Sequence, residues 1–140
     1  MLKRLHRLIS PPLLTVLAEM GHGEELAIVD ANFPAAGLAR RLVHAPGLEA
    51  PAVLEAVLTL LPLDDFVPCP ASIMHPGEGR PSVLDRFQAV LDAAAGAPVG
   101  VEALDRFTFY ARTAAAFAVV LTGEGRLYGN ILVRKGVIRP

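Results

Sequence analysis

The chain holds one cysteine, Cys69, in 140 residues. A single thiol permits neither a disulfide framework nor a CxxC metal or redox motif, which fits a reducing cytoplasm. Strong charge of either sign is also missing: 13 lysines and arginines face 14 aspartates and glutamates, for a formal net charge of −1. Basic residues cluster only near the start of the chain, so there is no electrostatic footprint for nucleic acid. Pro, Asp, Glu or Arg interrupts every apolar run before the ~20 residues a membrane-spanning helix needs. Met1-Leu2-Lys3-Arg4-Leu5-His6-Arg7 has the look of a signal peptide's basic region, but Pro11, Pro12 and Glu19 break the apolar core such a signal requires. Neither a GxxxxGK[ST] phosphate loop nor a GxSxG nucleophile elbow occurs. Gly21-His22-Gly23-Glu24-Glu25-Leu26 is one residue short of the dinucleotide fingerprint and precedes a strand where the fingerprint must follow one. His6, His22, His44 and His75 lack i+4 or CxxC companions, leaving a metal site unsupported. The expectation is a protein without cofactor, metal, nucleic-acid partner or membrane span.

What the chain has in quantity is apolar surface, at 53% hydrophobic residues and a mean hydropathy of +0.45. One domain, 1–140, suits this length and buries roughly two-thirds of its unfolded surface. The remaining apolarity predicts burial against copies of the same chain, hence a homo-oligomer.

The segment 20–34 packs an imidazole, a carboxylate and an aromatic ring around one short apolar run. His22 sits between glycines, on backbone free to leave regular structure. Residues 26–29 read as a buried strand with Asp30 at its carboxyl end, the end where open α/β sheets collect ligands. Before it, Ser10 with Pro11 and Pro12 starts a helix carrying Leu13, Leu14, Leu17 and Met20 at helical spacing, with Gly21 as its stop. After it, 30–37 reads as a loop or single turn and 41–44 as a strand. Helices are predicted over 51–61, 81–95 and 105–115, the last capped by Asp105. Strands are predicted over 71–74, 99–104, 116–122 and 130–135. Gly77-Glu78-Gly79-Arg80 and Gly123-Glu124-Gly125-Arg126 read as independent turns. Alternating strands and helices predict a largely parallel sheet covered on both faces, with a turn-linked final pair as an antiparallel edge.

Four features carry chemistry, and each also has a plainer reading. His22 can simply terminate the first helix, Asp30 can cap the following turn, Arg106 can be a solvated helix residue, and Tyr128-Gly129-Asn130 can be a hairpin turn. Together they form a different inventory: an acid/base group, a carboxylate, a guanidinium, a carboxamide and aromatics. That set suits a sugar, whose hydroxyls want paired donors and acceptors and whose apolar face packs on a ring.

Several blocks carry a family resemblance: Leu8-Ile9-Ser10-Pro11, Leu17-Ala18-Glu19-Met20-Gly21-His22-Gly23, Asp30-Ala31-Asn32-Phe33-Pro34, Arg106-Phe107 with Phe109-Tyr110, Thr122-Gly123-Glu124, and Tyr128-Gly129-Asn130-Ile131-Leu132. In register over nearly the whole chain, they resemble the family of monosaccharide mutarotases that holds L-fucose mutarotase and D-ribose pyranase. The resemblance implies a three-layer α/β/α sandwich with a mainly parallel, mixed sheet, a cytoplasmic homodecamer of two pentameric rings, no cofactor, and sites at subunit contacts. It implies His22 as the acid and Asp30, Arg106, Tyr128, Gly129 and Asn130 as sugar-binding residues, with Tyr110, Phe33 and Asn32 as further candidates. Arg106 stands where ribose pyranases carry histidine, Phe33 follows the fucose pattern, and Asn32 stands where fucose mutarotases usually carry histidine.

The implied reaction interconverts the α and β anomers of L-fucose. It opens the bond between anomeric carbon and ring oxygen and recloses it, which takes only proton transfers. Ribose pyranase activity and a non-catalytic sugar-binding or regulatory subunit are the alternative readings. Eight residues separate His22 from Asp30, up to about 28 Å of extended chain. Either the glycine-flanked turn folds back, or each residue serves a site shared with a neighbour.

Overall fold

The structure, a computed structural model, describes residues 1–140. Ser10 opens α1 (Pro11–Glu19), its hydroxyl accepting the Leu13 N–H at 3.3 Å while prolines fill the first turn, where no intrahelical donor is lost. The helix ends as Met20 turns extended, with no left-handed glycine. Lys135 Nζ closes that end instead, donating to the carbonyls of Leu17 and Met20 at 2.9 and 2.5 Å. There follow β1 (Glu25–Val29), the single-turn α2 (Ala35–Leu38), β2 (Leu42–Ala45), α3 (Ala50–Leu58), β3 (Ala71–Met74), α4 (Ser82–Ala95), β4 (Val101–Leu104), α5 (Arg106–Ala115), β5 (Ala118–Thr122) and β6 (Ile131–Arg134).

The six strands form one sheet in the order β2-β5-β1-β6-β3-β4. Pairs β2–β5, β5–β1 and β3–β4 are parallel, and β6 alone runs antiparallel to its neighbours β1 and β3. One face is covered by α1, α3 and α4 through Leu13, Leu17, Val53, Leu54, Val57, Val83, Phe87 and Leu91. The other carries α2 and α5 through Ala35 and Phe109, with Phe33 beside them. Layers on both faces explain why Leu26 to Val29 and Ala118 to Val120 are apolar without alternation: each has 0% exposure. The architecture is the expected α/β/α sandwich with a mixed, mainly parallel sheet.

One expectation fails: the last two strands do not form a hairpin at the sheet edge. Instead β1 lies between β5 and β6, and β6 occupies the interior. Ile131, Leu132 and Val133 are each 0% exposed, so both faces and both backbone edges of β6 need partners that an edge position cannot supply. The linker that delivers it is no simple turn either. Glu124 is only 2% exposed. Its carboxylate accepts the Arg126 backbone N–H, Nε and Nη2 at 2.9, 2.8 and 2.8 Å and the Ala50 N–H at 3.3 Å. Its carbonyl accepts the Ala31 N–H at 2.9 Å, which carries the chain across the end of β1. Gly129 is required there, because a Cβ would stand 2.6 Å from Glu124 Cγ.

Two stability measurements test this packing. Phe87→Ala, at a site 1% exposed, should cost about 3–5 kcal/mol in urea unfolding; a loss under about 1 kcal/mol would contradict the assigned core. The Arg126 guanidinium, against the opposing effect of burial, holds the Glu124 carboxyl below its ordinary 4.5. Its contribution is therefore complete above that value and lost as pH falls through the lower folded one. Glu124→Gln should cost about 1–3 kcal/mol at neutral pH, with the gap from wild type closing below pH 4.5. A gap independent of pH would show that the carboxylate charge does not matter.

Candidate active site

Asp30 follows β1 directly and is 7% exposed. The antiparallel register sets Ile28 opposite Ile131, so Asn130, just before β6, arrives at the same end of the sheet. The two side chains lock reciprocally. Asp30 N–H donates to Asn130 Oδ1 at 2.9 Å, and Asn130 Nδ2 donates to Asp30 Oδ2 at 2.9 Å. This pairing fixes which way the carboxamide points, since a flip would set oxygen against carboxylate. Asp30 Oδ1 also accepts the Asn32 N–H at 2.9 Å, while the Asn32 side chain lies on an exposed turn. Each carboxylate oxygen keeps a further acceptor site, and Asn130 Nδ2 keeps one hydrogen for a ligand.

Aromatic residues gather at this end. Phe33 meets Phe109 and Tyr110 edge-on, with ring centroids 6.0 and 5.3 Å apart. Tyr110 and Tyr128 both pack against the cluster containing Phe33. Arg106 begins α5 one turn before Tyr110, on the same face of the helix. It is exposed, with its guanidinium 5.1 Å from the Phe107 ring. Tyr128 has φ +63°, a left-handed conformation that costs a non-glycine residue on the order of 1–2 kcal/mol. Strain of this kind persists where surrounding structure imposes it, here the Glu124 linker with Gly129 buried behind it, and it clusters at ligand sites.

His22 stands at the opposite end. The turn 21–24 is closed by Glu24, whose Oε2 accepts the Gly21 N–H at 2.7 Å, and Gly23 takes φ +84° so that its N–H reaches the Lys135 carbonyl at 2.8 Å. The imidazole is half exposed, with its ring 5.2 Å from that of Phe66, and its Nε2 lies 3.2 Å from Asp64 Oδ1. Asp64 is 2% exposed; the same Oδ1 accepts the Phe66 N–H at 3.1 Å, and Oδ2 lies 3.1 Å from Arg134 Nε in an ion pair. Burial alone would raise the Asp64 carboxyl. The Phe66 N–H, the His22 imidazole and the Arg134 guanidinium outweigh it and hold the group below its usual range.

The predicted residues thus fall into two sets. Asp30, Asn130, Gly129, Tyr128, Phe33, Tyr110, Arg106 and Asn32 belong to the carboxyl end of the parallel strands. His22 belongs to the amino end, beyond the length of β1, about 13 Å at ~3.3 Å per residue. The register says the same independently, since Glu25 pairs with Arg134 and Ile28 with Ile131. Two further residues were hidden in the sequence. Asp64 reads locally as a loop residue between prolines and reaches His22 across 42 positions only because the bridge from Leu63 to Lys135 ties that loop to β6. Glu124 reads as turn chemistry, although the Thr122-Gly123-Glu124 block marks its surroundings.

Comparison with known proteins places this geometry. Residues 3–138 match the RbsD / FucU transport protein family. The L-fucose mutarotase of Actinobacillus pleuropneumoniae serotype 5b (strain L20) is 44% identical over 98% of this chain and 97% of its own. That of Haemophilus influenzae (strain 86-028NP) is 41% identical over the same shares. The crystal structure of the fucose mutarotase in complex with L-fucose from Streptococcus pneumoniae is similar at a TM-score of 0.93 and 36% identity, covering 99% of this chain and 100% of that one. Bacillus subtilis RbsD complexed with D-ribose, at a TM-score of 0.76 and 20% identity over 97% of this chain and 99% of its own, shares the fold. A family match spanning nearly every residue, joined to full-length relatives at such identities, makes the chain a member of the RbsD / FucU transport protein family.

Proposed function

We propose that the chain is an L-fucose mutarotase, a single domain over 1–140 that interconverts the α and β anomers of the sugar without a cofactor. The observation that carries this reading is a half-exposed imidazole held by a buried carboxylate, in a chain 44% identical to an L-fucose mutarotase. His22 gives a proton to the ring oxygen while a base takes the proton of the anomeric hydroxyl, and closure on the other face reverses both transfers. Positioned transfers of this kind contribute about 10²–10⁴-fold. Asp30 accepts hydrogen bonds from sugar hydroxyls. Asn130 and Arg106 donate to them, the Tyr128-Gly129 strip closes around the ligand, and Phe33 supports the aromatic wall. Tyr128, or Tyr110 beside Phe33, relays the second proton.

A sugar touching both His22 and Asp30 lies between two copies of the chain, because β1 holds these residues on opposite ends of one protomer. Head-to-tail contacts of this kind are heterologous and form rings where the rotation between neighbours closes. Exposed apolar side chains flank both ends: Phe66, 63% exposed, beside His22, and Phe107 and Leu127, 71% and 68% exposed, on the elements of the carboxyl end. They favour the ring-built homodecamer of the resemblance. No helix is long and apolar enough to cross a membrane, and the proposed setting is the cytoplasm.

NMR magnetisation exchange between the anomers of L-fucose tests the reading. Wild type should exchange them well above the buffer rate, and His22→Ala should lower kcat by about 10²–10⁴-fold. Asp30→Asn should act mainly through a higher KM. His22→Ala as fast as wild type would remove the proposed acid, and wild-type exchange at the buffer rate would leave a binding protein. D-ribose, offered in parallel, should be the poorer substrate.

A further inference from the structure

We infer that Asp64 is the positioning residue for His22, fixing Nε2 as the nitrogen that keeps its hydrogen and leaving Nδ1 to exchange protons with the sugar. This deepens the mutarotase reading and rests on it. The geometry begins with the 3.2 Å separation of His22 Nε2 from Asp64 Oδ1. An ionised carboxylate only accepts hydrogen bonds, so the nitrogen facing it must carry hydrogen in both the neutral and the protonated ring. Asp64 is kept in that ionised state at neutral pH by the groups around it. The catalytic proton can then come and go only at Nδ1, which has no hydrogen-bond partner within the chain on a ring that is half exposed.

The carboxylate can impose this because it cannot move. Asp64 N–H donates to the Arg134 carbonyl at 3.0 Å, and the Gly136 N–H donates to the Pro62 carbonyl at 2.7 Å, lacing the loop to the end of β6. Gly136 is needed for that approach, since a Cβ there would stand 2.5 Å from the Leu63 carbonyl oxygen. The chain terminus adds a second clasp. Arg139 pairs with Asp65 through both guanidinium nitrogens, and its cation lies 5.2 Å from the Phe66 ring, which in turn lies 5.2 Å from the His22 ring. The imidazole is thus bounded by a buried acceptor on one edge and the Phe66 ring on one face. Of the two ring nitrogens, only Nδ1 is left for a ligand.

The first arm of the test reads the wild-type ring itself. In wild-type protein labelled with ¹⁵N-histidine, the neutral His22 ring should show its hydrogen on Nε2, identified against His22→Ala. In Asp64→Ala the preference should be lost, and kcat for anomer exchange should fall at least about tenfold, toward the full 10²–10⁴-fold of positioned proton transfer. KM should change little, because the sugar's binding groups sit on the other end of the sheet. If Asp64→Ala fails to fold, Asp64→Leu fills the same space without an acceptor and gives the same readouts. A wild-type ring carrying its hydrogen on Nδ1, or a folded Asp64 variant with wild-type kcat, overturns the inference. Failure of the mutarotase reading looks different: there the wild type itself exchanges the anomers no faster than buffer.

Discussion

The antiparallel pairing of β1 with β6 is the constraint on which the rest of the molecule depends. Each strand carries polar residues at or just outside both of its ends: His22 and Asp30 for β1, Asn130 and Arg134 with Lys135 for β6. Because the strands run in opposite directions, Asn130 meets Asp30 at one edge of the sheet while Arg134 and Lys135 meet the His22 region at the other. One buried ladder therefore builds both polar clusters. A parallel β6 would have sent Asn130 to the imidazole and left Asp30 without its partner.

Each cluster is organised by hydrogen bonds within the chain. At the carboxyl end a reciprocal carboxylate–carboxamide pair is held by its own backbone, and the buried Glu124 carboxylate fixes the linker that presents Tyr128. At the amino end Asp64 gathers a backbone N–H, an imidazole and a guanidinium. Charges held this way need little reorganisation when protons move, which is how fixed dipoles lower a barrier. Neither cluster contains a complete set of groups for ring opening. The proposed completion by a neighbouring copy matches the high apolarity of so short a chain and the exposed aromatic residues at both ends.

Much of this was legible in local sequence. Helix starts at Ser10 and Asp105 rest on side-chain caps, and the buried strands rest on unbroken apolar runs, so both appear as pattern. The strand 71–74 and the stop at Gly96, left-handed as its position requires, were readable for the same reason. What local pattern could not carry was partnership over distance. The register that places β6 inside the sheet, the burial of Glu124 inside a sequence that looks like a turn, and the approach of Asp64 to His22 all depend on tertiary pairing. Local chemistry singled out His22, Asp30, Arg106 and the Tyr128-Gly129-Asn130 strip, and the family resemblance assigned their roles. Their division between two ends of the sheet emerged only from the fold.

The account stands most directly on mixing two variants, each impaired at sugar concentrations below KM. His22→Ala and Asp30→Ala chains, dissociated and reassembled together, should regain anomer exchange at about a quarter of the wild-type rate, because random assembly sets an intact imidazole against an intact aspartate at about that share of shared contacts. If the reassembled mixture stays as impaired as either parent, the two residues do not meet across subunits, and the division of the site between neighbouring chains is wrong.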